Sequence, residues 1–191
     1  MKELRNAKIS ANDTAESGAL VLVGQPIVFN TPTLINDPAG PYKEIIKESA
    51  LDFADLSDVR LLYNHDDNRV PLARTPKTME LSVTDQGLEM KATLPDTQDA
   101  KSVYEAVKRG DLSGMSFAFT VPEGGDSYDA VTHTRTIHRI SKLYECSVVV
   151  FPAYQTTSVE ARSAITAETE RQEKKNEARI LLNQIRAESV E

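Results

Sequence analysis

Apolar side chains recur at every second position through several short segments of this chain, and at helical spacing in only a few. Strict alternation marks a strand with one buried face, whereas apolar residues three and four apart mark an amphipathic helix. Residues 79–83 (Met-Glu-Leu-Ser-Val) and 88–94 (Leu-Glu-Met-Lys-Ala-Thr-Leu) alternate on either side of Thr84-Asp-Gln-Gly87, which predicts a β-hairpin. Residues 19–29 are rich in β-formers, with Gly24 and Pro26 predicting a bend or bulge inside the strand. Residues 42–46 read as a returning strand, 59–63 as a compact one, and 134–140 and 143–151 as two more. The last is nearly all apolar, the pattern of a strand buried on both faces.

Helical spacing appears at Val103, Tyr104 and Val107, within a segment 99–108 that runs into Gly110-Asp111, a helix stop. The chain then re-emerges as a strand with Met115, Phe117 and Phe119 on one face and Ser116, Ala118 and Thr120 on the other. Small and hydroxylated residues opposite bulky apolar ones leave room for something to approach. A shorter helix is expected from Ser49, with that serine as its N-cap. Residues 1–10 are polar and read as an extended arm. Residues 31–41, with Pro32, Pro38, Pro41, Asn36 and Gly40, read as a loop.

Residues from about 15 to 160 are therefore mostly strands with two or three helices. This predicts an α+β, mainly β fold, an antiparallel closed sheet or barrel flanked by helices, in preference to alternating βαβ units. From about Ile165 the composition turns to Glu, Lys, Arg, Gln and Ala, with Ala178, Leu181, Leu182 and Ile185 at helical spacing. That stretch predicts a charged amphipathic helix or a partly disordered tail. The organisation expected is one domain over 1–162 and a tail over 163–191.

With 191 residues the chain is long enough for a core without disulfides or metals. Its net charge of -7 argues against broad phosphate contacts, so no nucleic-acid partner is expected. One cysteine, Cys146, excludes an internal disulfide, and three histidines make a Cys/His zinc site a poor fit. No cofactor is expected. No apolar run approaches the ~20 residues of a membrane span, and residues 1–5 lack a signal peptide's apolar core. A cytosolic chain with no membrane partner is the expectation.

Three residues invite chemistry. His65 follows a buried strand in a polar cluster, Asn64-His-Asp-Asp-Asn68, where an imidazole is accessible and exchanges protons near neutrality. The same position suits an ordinary surface-loop histidine. Ser116 lies on the small face of its strand, but a serine hydroxyl needs an adjacent base before it attacks anything. Most strand serines are solvent-facing or bonded to backbone, and Ser113, beside Gly114, has turn capping as its simpler role. Glu145 sits in the apolar run Leu-Tyr-Glu-Cys-Ser-Val, and burying a carboxylate without a partner is costly. A histidine would serve, as would Arg135 or Arg139; equally, alternation could turn it to solvent beside Leu143 and Ser147. Cys146 falls on the other face and reads as a small buried hydrophobe rather than a nucleophile. His133 and His138 lie in what reads as an exposed hairpin arm.

No spacing rule unites these residues. Four blocks do so by resemblance: Leu61-Leu-Tyr-Asn-His-Asp66, residues 104–119 around Gly-Asp-Leu-Ser-Gly-Met-Ser-Phe-Ala-Phe, residues 135–149 around Leu-Tyr-Glu-Cys-Ser, and Phe151-Pro-Ala-Tyr154. Over residues 15–162 the chain resembles the prohead proteases of tailed bacteriophages, capsid-maturation enzymes distantly similar in fold to the herpesvirus assemblins. The resemblance implies a serine endopeptidase with Ser116 as nucleophile, His65 as general base and Glu145 orienting the histidine. In the assemblins a second histidine fills that third role. It implies the scaffolding segment of the major capsid protein, and the protease itself, as substrates cut within the procapsid in the host cytoplasm. Oxyanion donors are expected, by the assemblin analogy, from amides of residues 134–139 with an arginine positioning water. A homodimer is expected by the same analogy. The competing expectation is a non-catalytic assembly protein that acts through its helical tail.

Overall fold

The computed structural model describes residues 3–13, 19–35, 37 and 40–150. In chain order its strands are β1 (Glu3–Asp13), β2 (Leu20–Val28), β3 (Thr33–Ile35), β4 (Tyr42–Ile46), β5 (Arg60–Tyr63), β6 (Ala73–Arg74) and β7 (Met79–Thr84). They continue with β8 (Gly87–Thr93), β9 (Gly114–Thr120), β10 (Asp126–Asp129), β11 (Thr134–Ile137) and β12 (Lys142–Val149). Among the described residues there is one α-helix, α1 (Gln98–Arg109), between β8 and β9, and a short 3-10 turn at Glu48–Leu51. The tail from residue 163 and the Phe151-Pro-Ala-Tyr154 block lie outside the described residues.

An eight-stranded sheet runs in the order β6-β5-β12-β9-β1-β2-β8-β7, and a four-stranded sheet in the order β10-β11-β4-β3. Neighbours are antiparallel except for β5 with β12 and β4 with β11. The mainly β character expected from alternation holds, but closure into a barrel does not. β6 and β7 are the two ends of the large sheet, and no ladder joins them among the described residues. The physical reason is that β6 is only two residues long and the turn takes up the backbone of Arg74: its N–H donates to Thr78 Oγ1 at 2.9 Å and its carbonyl accepts from Thr78 N–H at 3.0 Å. The ends are instead consecutive in the chain, linked by the turn 75–78. That turn bonds to both sides: Val59 N–H donates to Thr75 Oγ1 at 2.8 Å, and Thr93 N–H to Thr78 O at 2.9 Å.

The alternating hairpin is present as β7 and β8, in register from Met79 opposite Ala92 to Thr84 opposite Gly87. Leu88, Met90 and Ala92 turn into the core while Glu89 and Lys91 stay outside, as their spacing dictates. β2 contains the irregularity expected at its Gly-Gln-Pro, between Gly24 and Ile27 in its pairing with β8. α1 begins at Thr97, whose hydroxyl accepts from Ala100 N–H, and ends at Gly110 in the left-handed conformation (φ 83°). Ala100, Val103, Tyr104 and Val107 form its buried face, which joins the core with Leu22, Met115, Phe117 and Phe119. Each of the larger side chains, Val, Leu, Met and Phe, contributes about 1.5–3 kcal/mol on burial.

Several segments differ from expectation. The polar first residues form β1, between β2 and β9. The loop over 31–41 contains β3. Ser49 is not an N-cap: the 3-10 turn starts after Lys47 without a side-chain cap, and Ser49 Oγ faces His138 O at 3.5 Å. The "hairpin arm" of residues 133–139 is not simply exposed. It carries Arg135, 2% exposed, which donates from Nε to Asp126 at 2.6 Å and from Nη1 to Glu44 at 3.1 Å. β10, unforeseen, supplies one of those carboxylates and β4 the other.

Candidate active site

β12 lies between β5 and β9, so side chains from distant parts of the chain meet on its surface. Cys146 pairs with Leu61 and Phe117, and all three enter the core. The residues on the opposite face align in two rows: Arg60, Glu145 and Ala118, then Leu62, Ser147 and Ser116. Simple alternation would have put Leu143 beside Glu145. A bulge intervenes, with Leu143 opposite Phe119 and Glu145 opposite the next residue, Ala118. The extra residue, Tyr144, lets Leu143 stay in the core while Glu145 faces away from it.

His65 reaches this face through a tight reversal. β5 ends at Tyr63, and Asn64 and His65 both adopt left-handed backbone, φ 54° and 61°. Asn64 N–H donates to Val148 O at 2.8 Å, fixing the start of the turn to β12. Two successive non-glycine residues in this region carry a conformational cost, lower for Asn and His than for most. What results is a 2.6 Å bond between His65 Nδ1 and Glu145 Oε1. Since a carboxylate only accepts, Nδ1 is the donor, which leaves Nε2 of a neutral imidazole as a base. Glu145 is 2% exposed, and its second oxygen, Oε2, accepts from Ser147 Oγ at 2.5 Å. A buried carboxylate thus has a donor on each oxygen, as burial demands.

Ser116 stands directly across the ladder from Ser147. It is 2% exposed, so the face expected to leave room is covered in this conformation. The structure therefore joins His65 to Glu145 and sets Ser116 on the adjoining strand; among the described residues no hydrogen bond links Ser116 to His65. Cys146 is fully buried, and burial, with the Glu145 charge nearby, pushes its thiol far above the ordinary range.

The other candidates sit elsewhere. His133 Nδ1 lies 3.1 Å from Tyr128 OH and His138 Nε2 2.9 Å from Ser127 Oγ, both beside the smaller sheet. Neither Arg135 nor Arg139 is bonded to Glu145: Arg135 is held by Asp126 and Glu44, and Arg139 Nη2 faces Glu123 O at 3.4 Å. The amides of His138 and Arg139 both donate to Gly125 O, at 2.8 and 2.9 Å. That segment, expected to offer oxyanion donors, has these two engaged in its own sheet. Among the described residues no group of three or more His, Cys, Asp and Glu is placed to hold a metal ion. No helix among them is long and apolar enough to cross a membrane. From the sequence Ser147 figures only as a neighbour of Glu145 on a solvent-turned face; the spacing of two on one strand gives the shared face but not the hydrogen bond.

Comparison with known proteins gives one family. No curated protein and no solved structure matches the chain. A family model described as caudovirus prohead serine protease matches residues 5–174. That match spans β1 to β12 and includes His65, Ser116 and Glu145. The chain belongs to the caudovirus prohead serine protease family.

Proposed function

We propose that this chain is a Ser-His-Glu endopeptidase that cuts the scaffolding segment of the major capsid protein, and its own chain, during procapsid maturation. The observation that carries this reading is the 2.6 Å bond between His65 and Glu145, residues 80 apart in sequence, on the strand next to Ser116. Glu145 holds the imidazole with Nδ1 protonated, so that Nε2 takes the Ser116 proton as the hydroxyl attacks the scissile carbonyl. The resulting imidazolium is stabilised by the adjacent carboxylate. It then protonates the leaving amine as the peptide C–N bond breaks, leaving an acyl ester on Ser116. Water, deprotonated by His65, hydrolyses that ester and returns the hydroxyl. Cleavage requires the covered Ser116 face to open enough to admit a peptide. A homodimer, by analogy with the assemblins, belongs to the same reading.

The test is co-expression of the full chain with its capsid protein, followed by intact-mass analysis of both. The expected result is defined truncation of the capsid precursor and of the protease, abolished by Ser116→Ala in a protein with an unchanged melting temperature. Undiminished processing by that variant would overturn the assignment.

A further inference from the structure

We infer that Ser147 is a positioning residue, one that holds the Glu145 carboxylate in the orientation that meets His65. The inference rests on the roles proposed above for Ser116, His65 and Glu145. A glutamate side chain ends in a torsion with a broad, roughly two-fold preference, so one bond to one oxygen does not fix its plane. Here each oxygen has its own donor, His65 Nδ1 at 2.6 Å on Oε1 and Ser147 Oγ at 2.5 Å on Oε2. Rotation of the carboxylate toward any other partner breaks one of them.

Among the described residues, the cations flanking Glu145 on its own and the neighbouring strand are engaged elsewhere. Arg60, the β5 neighbour of Glu145 in the ladder, turns its guanidinium to Asp58 at 3.3 Å. Lys142, earlier on β12, is bonded to Asp55 at 2.8 Å. Ser147 is 0% exposed, so water does not compete for its hydroxyl. A hydrogen bond to a charged acceptor in a dry site is among the stronger ones available to a neutral side chain.

The same contact separates the roles of two neighbouring serines. Ser147 and Ser116 are ladder partners, and side chains so opposed have Cβ atoms about 4.5–5.5 Å apart. The proton of Ser147 is committed to Glu145. That of Ser116 is bonded to no carboxylate among the described residues, which leaves Ser116 as the hydroxyl that His65 can activate.

Ser147→Thr and Ser147→Val test this as a pair. The two replacements have nearly the same shape, so any crowding in the buried site is common to both, and only threonine keeps the hydroxyl. The probe is a fluorophosphonate that reacts with an activated serine, with the labelled residue identified by peptide mass. Labelling of Ser116 in Ser147→Thr should stay within roughly threefold of the original chain. In Ser147→Val it should fall roughly 10- to 100-fold, the scale of a lost hydrogen bond to a charged group. Equal rates for the two variants at matched melting temperatures, or label found on Ser147, would overturn the inference. If the unaltered chain takes no label at Ser116, the assignment of Ser116 as nucleophile fails, and positioning is judged by proton NMR alone. The His65 Nδ1 proton should give one far-downfield signal in the unaltered chain and in Ser147→Thr, shifted or lost in Ser147→Val. An unchanged signal in the valine variant would show that Glu145 needs no second donor.

Discussion

At the scale of single residues, the proposed chemistry depends on a charge held in a dry place. Replacing Glu145 by glutamine keeps its size but presents an amide that can offer His65 a donor where an acceptor is required. Turnover of the capsid precursor by Glu145→Gln should fall by about 10^3- to 10^4-fold, as when the acidic partner of a comparable histidine is neutralised. Quantified cleavage by the purified variant checks this, and a loss below tenfold would leave Glu145 a structural role only. Cys146, directly beside it in sequence, should behave oppositely to a reactive thiol. Its burial and raised pKa predict no alkylation by iodoacetamide at pH 8 in the folded protein and full alkylation in denaturant. The pairing of His65 with Glu145 could not be read from spacing, because 80 residues separate them and Glu145 had three further explanations. What the residues did show was a carboxylate in an apolar run that required some partner. The family resemblance selected which one.

At the scale of elements, legibility followed how local the causes were. The β7–β8 hairpin and α1 are written in short-range patterns: alternation around a glycine-bearing turn, and a Thr-to-Gly span with apolar residues on one face. β1 was missed because a polar edge-like sequence was drawn into the middle of a sheet by partners on both sides. Arg135, weighed from the sequence as a partner for Glu145, is instead held by carboxylates of β4 and β10, which nothing near it in sequence announces. Removing that guanidinium leaves two carboxylates without it, so Arg135→Leu should cost about 3–5 kcal/mol in urea unfolding. Gly87 sets a second limit. It has φ 149°, and a Cβ there would lie 1.9 Å from Ile27 O on β2. Gly87→Ala should therefore destabilise the chain measurably and disturb the register of β8 against β2, visible as lost amide protection at Ile27 and Val28. An alanine variant as stable as the original would mean that the β2–β8 contact yields easily.

At the scale of the whole molecule, the mainly β character expected from the sequence held and the closed barrel did not, for a reason that sequence patterning does not carry. Alternation specifies that strands have an inside and an outside; it does not say whether the first and last edges meet. Here they come to a shared turn, pinned on one side by Thr75 to Val59 and on the other by Thr78 to Thr93. Thr75→Val would leave the Val59 amide, itself buried, without its hydroxyl acceptor. A loss of about 1–3 kcal/mol is expected from thermal or urea unfolding. A neutral result would mean that water or another group replaces the threonine. Since the covalent chain and a few hydrogen bonds tie the two margins together at 75–78, a single backbone nick beside exposed Lys77 would act like opening a clasp. The two margins would be free to part, and the edge of β7, which no ladder covers among the described residues, would lie more open to other copies, whereas the same nick at Asp85 would leave its flanking strands zipped to each other.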